Sequence, residues 1–361
     1  MATRAAIKGE ATRLRQLFEN AGGVPVETDI LQPADTLLDL YGEDIRARAY
    51  VTSDALRGEQ MLRPDFTVPV VQMHMADGAE PARYTYSGAV FRRQEDDTRR
   101  ANEYQQVGYE VFDRTNPAGA DAEVFTLFSK ALDGLNLRAA TGDIGILMAA
   151  VAGLKTTQRR QAALARHIWR PKRFRALMER YSGQTEVPES RQRLLGCDDP
   201  WADAGAMIGL RSRAEIDQRI AVLREDAQAA PLSMEEVALI DAILQVRAKT
   251  PKALEQLKDI SADLPDIEPA VVRFEQRVEA LEGRGIDVDT LDFEASYGRT
   301  HMEYYDGFVF GFYAENRPDM PPVATGGRYD ALTRMLGDGA EIPAVGGVIR
   351  PDLVLELGAG A

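Results

Sequence analysis

Between Tyr84 and Phe112 the chain reads Tyr-Thr-Tyr-Ser-Gly-Ala-Val-Phe-Arg-Arg, then a polar, charged tip from Gln94 to Asn102, then Tyr-Gln-Gln-Val-Gly-Tyr-Glu-Val-Phe. Two β-prone runs rich in Tyr, Val and Phe around a polar loop predict a long antiparallel hairpin. Gln106 and Glu110 are four apart on one strand and so share a face, and the alternation lets Arg92 on the neighbouring strand share it too. A glutamine and a carboxylate facing an arginine suit a small zwitterionic ligand. Read alone, the stretch equally describes a solvated hairpin face with cross-strand charge pairs.

The elements that must hold this hairpin follow from the rest of the chain. Ile7, Ala11, Leu14 and Phe18 recur at helical spacing and Gly22-Gly23 stops them, so residues 3 to 20 form an amphipathic helix. A short strand is expected over Pro25 to Leu31, a helical turn over Leu37 to Tyr41, and a strand end at Met61 to Thr67 running into a helix that carries Pro69 in its first turn. After the hairpin come a helix from Glu123 to Leu135 and a strand from Leu137 to Ala140. From about Gly142 to Gly285 the texture is helical and punctuated by Gly and Pro, with its clearest helices at Met234 to Arg247 and Glu268 to Leu281. Strand character returns at Asp287 to Tyr297 and Tyr304 to Tyr313. A helix follows at Ala331 to Leu336, and a strand ending at Arg350 then enters a terminal helix, Pro351 to Leu357. Two sheet-forming regions around a helical tract predict an α+β fold, an antiparallel sheet flanked by helices, with residues 1–141 and 286–361 as its core and 142–285 as a mostly helical tract that includes an insertion.

Composition removes several function classes. The 361 residues suffice for a sizeable core, and 45% of them are hydrophobic. Lys and Arg total 43 against 57 Asp and Glu, a net charge of −14 that opposes binding to a nucleic-acid backbone except through a local basic patch. One such cluster exists in the helical tract: Lys155, Arg159, Arg160, Arg166, Arg170, Lys172, Arg173 and Arg175. It reads as a solvated helix surface or as a phosphate or partner contact. A single cysteine, Cys197, gives no disulfide framework, and the three histidines are too scattered for a metal motif. With no apolar leader and no run long enough to span a membrane, a soluble cytoplasmic protein without metal or cofactor is expected.

Several pieces, taken together and in this order, resemble the class II aminoacyl-tRNA synthetase core, most closely its histidyl-tRNA synthetase branch. Leu62-Arg-Pro-Asp-Phe-Thr67 resembles that family's Leu-Arg-Pro-Glu-Gly-Thr signature, and Phe91-Arg92 through Glu110 resembles its second motif. Tyr304-Tyr305-Asp-Gly307 and Gly326-Gly-Arg-Tyr-Asp330 match the blocks that build the histidine pocket; Gly347-Val-Ile-Arg350 resembles the third motif. The resemblance implies that Asp65, Thr67 and Gln106 hold a histidine α-amino group, that Glu110 and Tyr305 read its two imidazole nitrogens, and that Tyr329 helps close the pocket, with Arg92 beside them. The chemistry fits: an ammonium needs an anionic or carbonyl acceptor, and two distinct ring nitrogens are best told apart by two separately placed polar groups. Asp65 is one methylene shorter than the family's usual Glu.

The departures matter as much. Thr300 stands where the synthetases carry a catalytic arginine, Gln94 where the second motif has glutamate, and Ile349 where an acid precedes Arg350. Arg299 is adjacent to the missing arginine but faces the other way on an extended strand. Losing one preorganised charge donor costs about 3 to 4 kcal/mol of transition-state stabilisation. Only Pro351 to Ala361 follows the third motif here, so no anticodon-binding domain is expected. An intact amino-acid pocket, a degenerate ATP site (Gln94, Thr300, Ile349, Arg350) and no tRNA-reading domain resemble the non-catalytic regulatory subunits of ATP phosphoribosyltransferase. That resemblance implies a self-associating dimer that joins a short-form catalytic subunit, supports the first step of histidine biosynthesis and transmits inhibition by histidine, without binding tRNA. Two other readings stay open: a truncated histidine-activating ligase, against which Thr300 and Ile349 speak, and a stand-alone histidine sensor.

Overall fold

The computed structural model describes residues 2–41, 45–94, 100–202, 204–299 and 304–358. Its strands are β1 (Val24–Pro25), β2 (Leu31–Pro33), β3 (Val51–Asp54), β4 (Gly58–Leu62), β5 (Ala82–Phe91), β6 (Glu103–Phe112), β7 (Leu137–Asp143), β8 (Arg247–Lys249), β9 (Asp292–Glu294), β10 (Phe308–Ala314), β11 (Ala324–Arg328) and β12 (Ala344–Ile349). Nine form one sheet in the order β1-β5-β6-β12-β11-β10-β7-β9-β8, and β2-β4-β3 form a small second sheet. β1 runs parallel to β5 and β7 to β9; the long central pairs are antiparallel. The expected hairpin is β5 and β6, with Tyr84 opposite Glu110, Tyr86 opposite Gly108 and Gly88 opposite Gln106. Part of its tip, residues 95–99, lies outside the described residues.

Period-2 alternation divides the sheet into a ligand face and a core face. Tyr86, Gln106, Gly108, Glu110 and Gly346 share the first, by register across β5, β6 and β12. Val107, Tyr109 and Val111 point the other way, onto the helices Arg4–Asn20 and Pro117–Ala131, and all three are fully buried. Phe18 stacks between Tyr109 and Phe128 with ring centroids 5.5 and 5.3 Å apart, and Phe310 meets Phe125 and Phe128 at 5.6 and 5.5 Å. Each fully buried Phe contributes roughly 1.5–3 kcal/mol over an exposed one, so this aromatic layer clamps the strands whose opposite face carries the polar residues.

Several boundaries differ from the sequence expectation. The second core helix runs Pro117–Ala131, not Glu123 to Leu135, because Asn116 caps it by accepting the Gly119 N–H and Pro117 fills its first turn. The strand expected over Pro25 to Leu31 is split into β1 and β2, and the one expected over Asp287 to Tyr297 contracts to β9. Among its described residues the helical tract contains eight α-helices between Ile144 and Gly283 but also β8, which pairs with β9 at the end of the main sheet. Within the basic cluster Arg160 is not a solvated residue: it is buried, donates to Asp226 Oδ1 at 2.7 Å and to the Ala230 carbonyl at 2.8 Å, and ties two helices of the tract together. No helix among the described residues is long and apolar enough to cross a membrane.

Candidate functional site

Two glycines make room for the polar cluster on the ligand face. A Cβ at Gly108 would sit 2.1 Å from Cζ of Tyr86, and one at Gly346 would sit 1.4 Å from Oε2 of Glu110. Both positions therefore exclude any side chain. Tyr86 lies across Gly108 to donate to Glu110 Oε1 at 2.7 Å, and Thr67, at the start of the helix Thr67–Asp77, donates to the same oxygen at 3.1 Å. Tyr329 donates to Oε2 at 2.5 Å. Glu110 is 0% exposed, and burial pushes its carboxyl up to about 7; the three hydroxyls pull the other way, and Asp65 adds to the rise. These partners are hydroxyls, none of them a cation, so the group is held between its charged and neutral forms.

The remaining expected residues gather around this carboxylate. Gln106 is buried opposite Gly88, and its Oε1 has no hydrogen-bond donor among the described residues. Asp65 is buried, accepts the Val68 N–H at 3.4 Å and lies 3.9 Å from the Arg92 guanidinium, whose Nε donates to the Pro64 carbonyl at 2.7 Å. Tyr305 is buried, stacks edge-on against Tyr304 at 4.9 Å and faces the Glu110 charge; its own burial, then that charge, raise its hydroxyl pKa. Asp65, Thr67, Gln106, Glu110, Tyr305 and Tyr329 thus converge, with Arg92 at the rim. Tyr86 was not foreseen, because its reach to Glu110 depends on the strand register that sets Gly108 opposite it. Arg63 has a structural part: its Nε donates to the Ala89 carbonyl at 3.0 Å and its Nη1 to the Thr28 carbonyl at 2.6 Å, fastening the segment to the hairpin.

A buried ionic cluster anchors the two pocket tyrosines from behind. Arg328, next to Tyr329, donates to Asp121 at 3.0 and 2.7 Å and to Asp330 at 2.9 Å. Arg277, from the helix Glu268–Gly283 of the insertion, reaches Asp143 at 2.7 Å and Asp121 at 3.3 Å. Asp306, next to Tyr305, accepts the N–H groups of Asp330 and Ala331 at 3.0 and 2.6 Å. Burial and the neighbouring Asp330 push Asp306 up to about 7.

Beside the pocket opens a cleft of about 1330 Å3, reached by Tyr305, Arg92, Gln94 and Arg350. Its walls also carry Arg4, Lys8, Arg48, Arg93 and Arg100, a basic surface in an acidic protein. Arg350 lies over the Tyr104 ring at 4.9 Å; burial lowers its pKa, and the charges of Arg92 and Arg100 add to that. Ile349 is fully buried in β12, on the core side by alternation with Gly346 and Val348. Thr300 lies outside the described residues. Arg299 donates from Nε to the Ile168 carbonyl at 2.8 Å and sits over the Phe174 ring at 5.0 Å; residues 295–299 form turns, not the extended strand on which its orientation was expected.

The histidyl-tRNA synthetase family model matches residues 2–198 and 211–354. Among curated proteins, the ATP phosphoribosyltransferase regulatory subunit of Agrobacterium fabrum strain C58 is 32% identical, over 89% of this chain and 89% of that protein. The regulatory subunit of Mesorhizobium japonicum is 31% identical over 93% and 94%. Of solved structures, an ATP phosphoribosyltransferase regulatory subunit/histidyl-tRNA synthetase from Bacillus halodurans superimposes with a TM-score of 0.67 at 22% identity, covering 98% of this chain and 79% of that one; this likeness speaks to the fold. The sheet carrying a polar pocket, the collinear motifs and these relatives lead to one conclusion: the chain belongs to the ATP phosphoribosyltransferase regulatory subunits, a family built on the histidyl-tRNA synthetase fold.

Proposed function

We propose that this chain is the histidine-sensing, non-catalytic partner of a short-form ATP phosphoribosyltransferase catalytic subunit, binding histidine in the Glu110 pocket and transmitting its feedback inhibition. The observation that carries this reading is Glu110 itself, a fully buried carboxylate whose bonded partners among the described residues are three hydroxyls and no cation. A buried carboxylate held by neutral donors alone is costly in its charged form, and a further, cationic donor relieves that cost. An imidazolium N–H does so, while the α-ammonium suits the unpartnered Gln106 Oε1 and the Asp65 carboxylate, and the α-carboxylate suits Arg92. Residues 1–141 and 286–361 act as the core, which self-associates as a dimer, and 142–285 as a mostly helical tract that includes an insertion. The cleft next to the pocket, with Gln94 in place of an acid, serves no adenylation and takes no tRNA.

Calorimetric titration of the chain with L-histidine tests the pocket. Glu110→Gln and Tyr305→Phe each remove one polar partner of a buried ligand, a loss of about fivefold to two-hundredfold in affinity. Unchanged affinity in both variants, or histidine-dependent pyrophosphate exchange into ATP at synthetase-like rates, would overturn the reading.

A further inference from the structure

Tyr305 lies just before β10 and Tyr329 just after β11, so the two pocket tyrosines stand at the same end of one antiparallel strand pair, beyond the last rungs of its ladder. Asp306 bridges the gap between them. Its N–H donates to the Arg328 carbonyl at 3.0 Å, and its carboxylate accepts the N–H groups of Asp330 at 3.0 Å and Ala331 at 2.6 Å, so three bonds from the residue beside Tyr305 straddle Tyr329. The Gly307 carbonyl, accepting the Ile144 N–H at 2.9 Å, holds the other side of the same segment. The Tyr305 ring lies against Gly327, where an added Cβ would come within 2.8 Å of it. Tyr329 is in turn bonded to Glu110 Oε2, so a brace between the two tyrosines also fixes how far Tyr305 stands from Glu110.

A carboxylate is a poor choice for this place if only the fold is served. Arg328 commits its guanidinium to Asp121, at 3.0 and 2.7 Å, and to Asp330, at 2.9 Å. Among the described residues Asp306 accepts from backbone N–H groups alone. Asp330 sets a like charge beside it, and burial together with that charge pushes the Asp306 carboxyl up to about 7. The folded-state value stands above the ordinary 3.8, so the stabilisation from the neutral form is lost as pH rises through 7, and at about pH 8 the ionised group weighs against the fold. What the carboxylate does that an amide cannot is accept at both ends: two adjacent N–H groups meet two oxygens, whereas the amino end of an asparagine is itself a donor. A local conflict of this kind is expected where a position serves a site.

We propose that Asp306 is a positioning residue of the histidine pocket: by bonding across Tyr329 it fixes the spacing of the two tyrosines, and with it the reach of the Tyr305 hydroxyl to a ligand ring whose other nitrogen meets Glu110. The inference rests on the reading of the Glu110 pocket as a histidine site. Recognition of one ring by two separately mounted groups tolerates displacements of only about 0.5 Å, and that tolerance is what the brace supplies.

Calorimetric titration with L-histidine and urea unfolding at about pH 8, each on the full chain as wild type, Asp306→Asn, Tyr305→Phe and the double variant, test the proposal. Asp306→Asn should weaken histidine binding about tenfold while leaving the urea midpoint unchanged or raised, because it removes the like charge along with the brace. In the Tyr305→Phe background the same change should weaken binding by less than about threefold, since the hydroxyl it positions is already gone. Wild-type affinity in Asp306→Asn, an equal loss with and without the Tyr305 hydroxyl, or a loss accompanied by a lowered urea midpoint, the mark of a merely structural residue, would overturn it. If Asp306→Asn does not fold, Asp306→Ser, which keeps one acceptor oxygen and no charge, is read by the same criteria. A wild-type chain that takes up no histidine would sink the reading of the pocket and this inference together, whereas binding that ignores Asp306 sinks this inference alone.

Discussion

Replacing Glu110 by glutamine should flatten the pH dependence of stability. The carboxyl rises from its ordinary 4.5 to about 7 in the folded chain, chiefly through burial. The folded state thus holds the proton more tightly than the unfolded state. The stabilisation from the neutral form is fully present below pH 4.5 and is lost as pH rises through 7. A shift of this size corresponds to about 3 kcal/mol, at roughly 1.4 kcal/mol per unit. Glutamine keeps the volume and offers a carbonyl and an amide to the same three hydroxyls, but does not titrate. Asp306 also rises towards 7, yet it is common to both proteins and cancels in their difference. Urea unfolding followed by circular dichroism, at steps from about pH 5 to about pH 8, gives the two stability curves. The variant should gain on the wild type by up to about 3 kcal/mol across that window. Parallel curves would refute the reasoning, because they would mean that Glu110 titrates alike in the folded and unfolded chain.

Gly346→Ala places a methyl where Glu110 Oε2 now lies, so it should displace the carboxylate and abolish measurable histidine binding in calorimetry while the helix-packed core keeps the fold cooperative by circular dichroism. Arg277→Met leaves Asp121 and Asp143 short of a buried counterion and should cost about 3–5 kcal/mol in urea unfolding, far more than a surface arginine would.

What could be read from the sequence was whatever depended on spacing within one element. Gln106 and Glu110 share a face because they are four apart on a strand, and the hairpin, the first helix and the final strand-to-helix passage follow from equally local patterns. Contacts set by register across strands were not legible. Tyr86 reaches Glu110 only because Gly108 stands opposite it, and Gly346 matters only because β12 pairs with β6 in that register. Arg277 sits in a helix that the sequence marks only as a helix of the tract, and its burial comes from the packing of that helix on Pro117–Ala131. β8 is three residues long, too short for alternation to register, and its Arg247 and Lys249 carry none of the apolar signal of a core strand. The start of the helix at Pro117 was available in the Asn116-Pro117 pair, but the apolar period hid it because the first turn is poor in large apolar residues.

Inhibition of the assembled complex is the most direct test of the central claim. The chain and a short-form ATP phosphoribosyltransferase catalytic subunit, combined as wild type and as Glu110→Gln, would be assayed for turnover across a histidine series beside direct histidine titrations. Coupling between two sites is reciprocal in binding free energy, so the inhibition constant should rise about fivefold to two-hundredfold, in step with the titrated affinity, while uninhibited turnover stays unchanged. An inhibition constant that does not move, in a complex shown by light scattering to be assembled, would place the feedback site outside the Glu110 pocket and contradict the account.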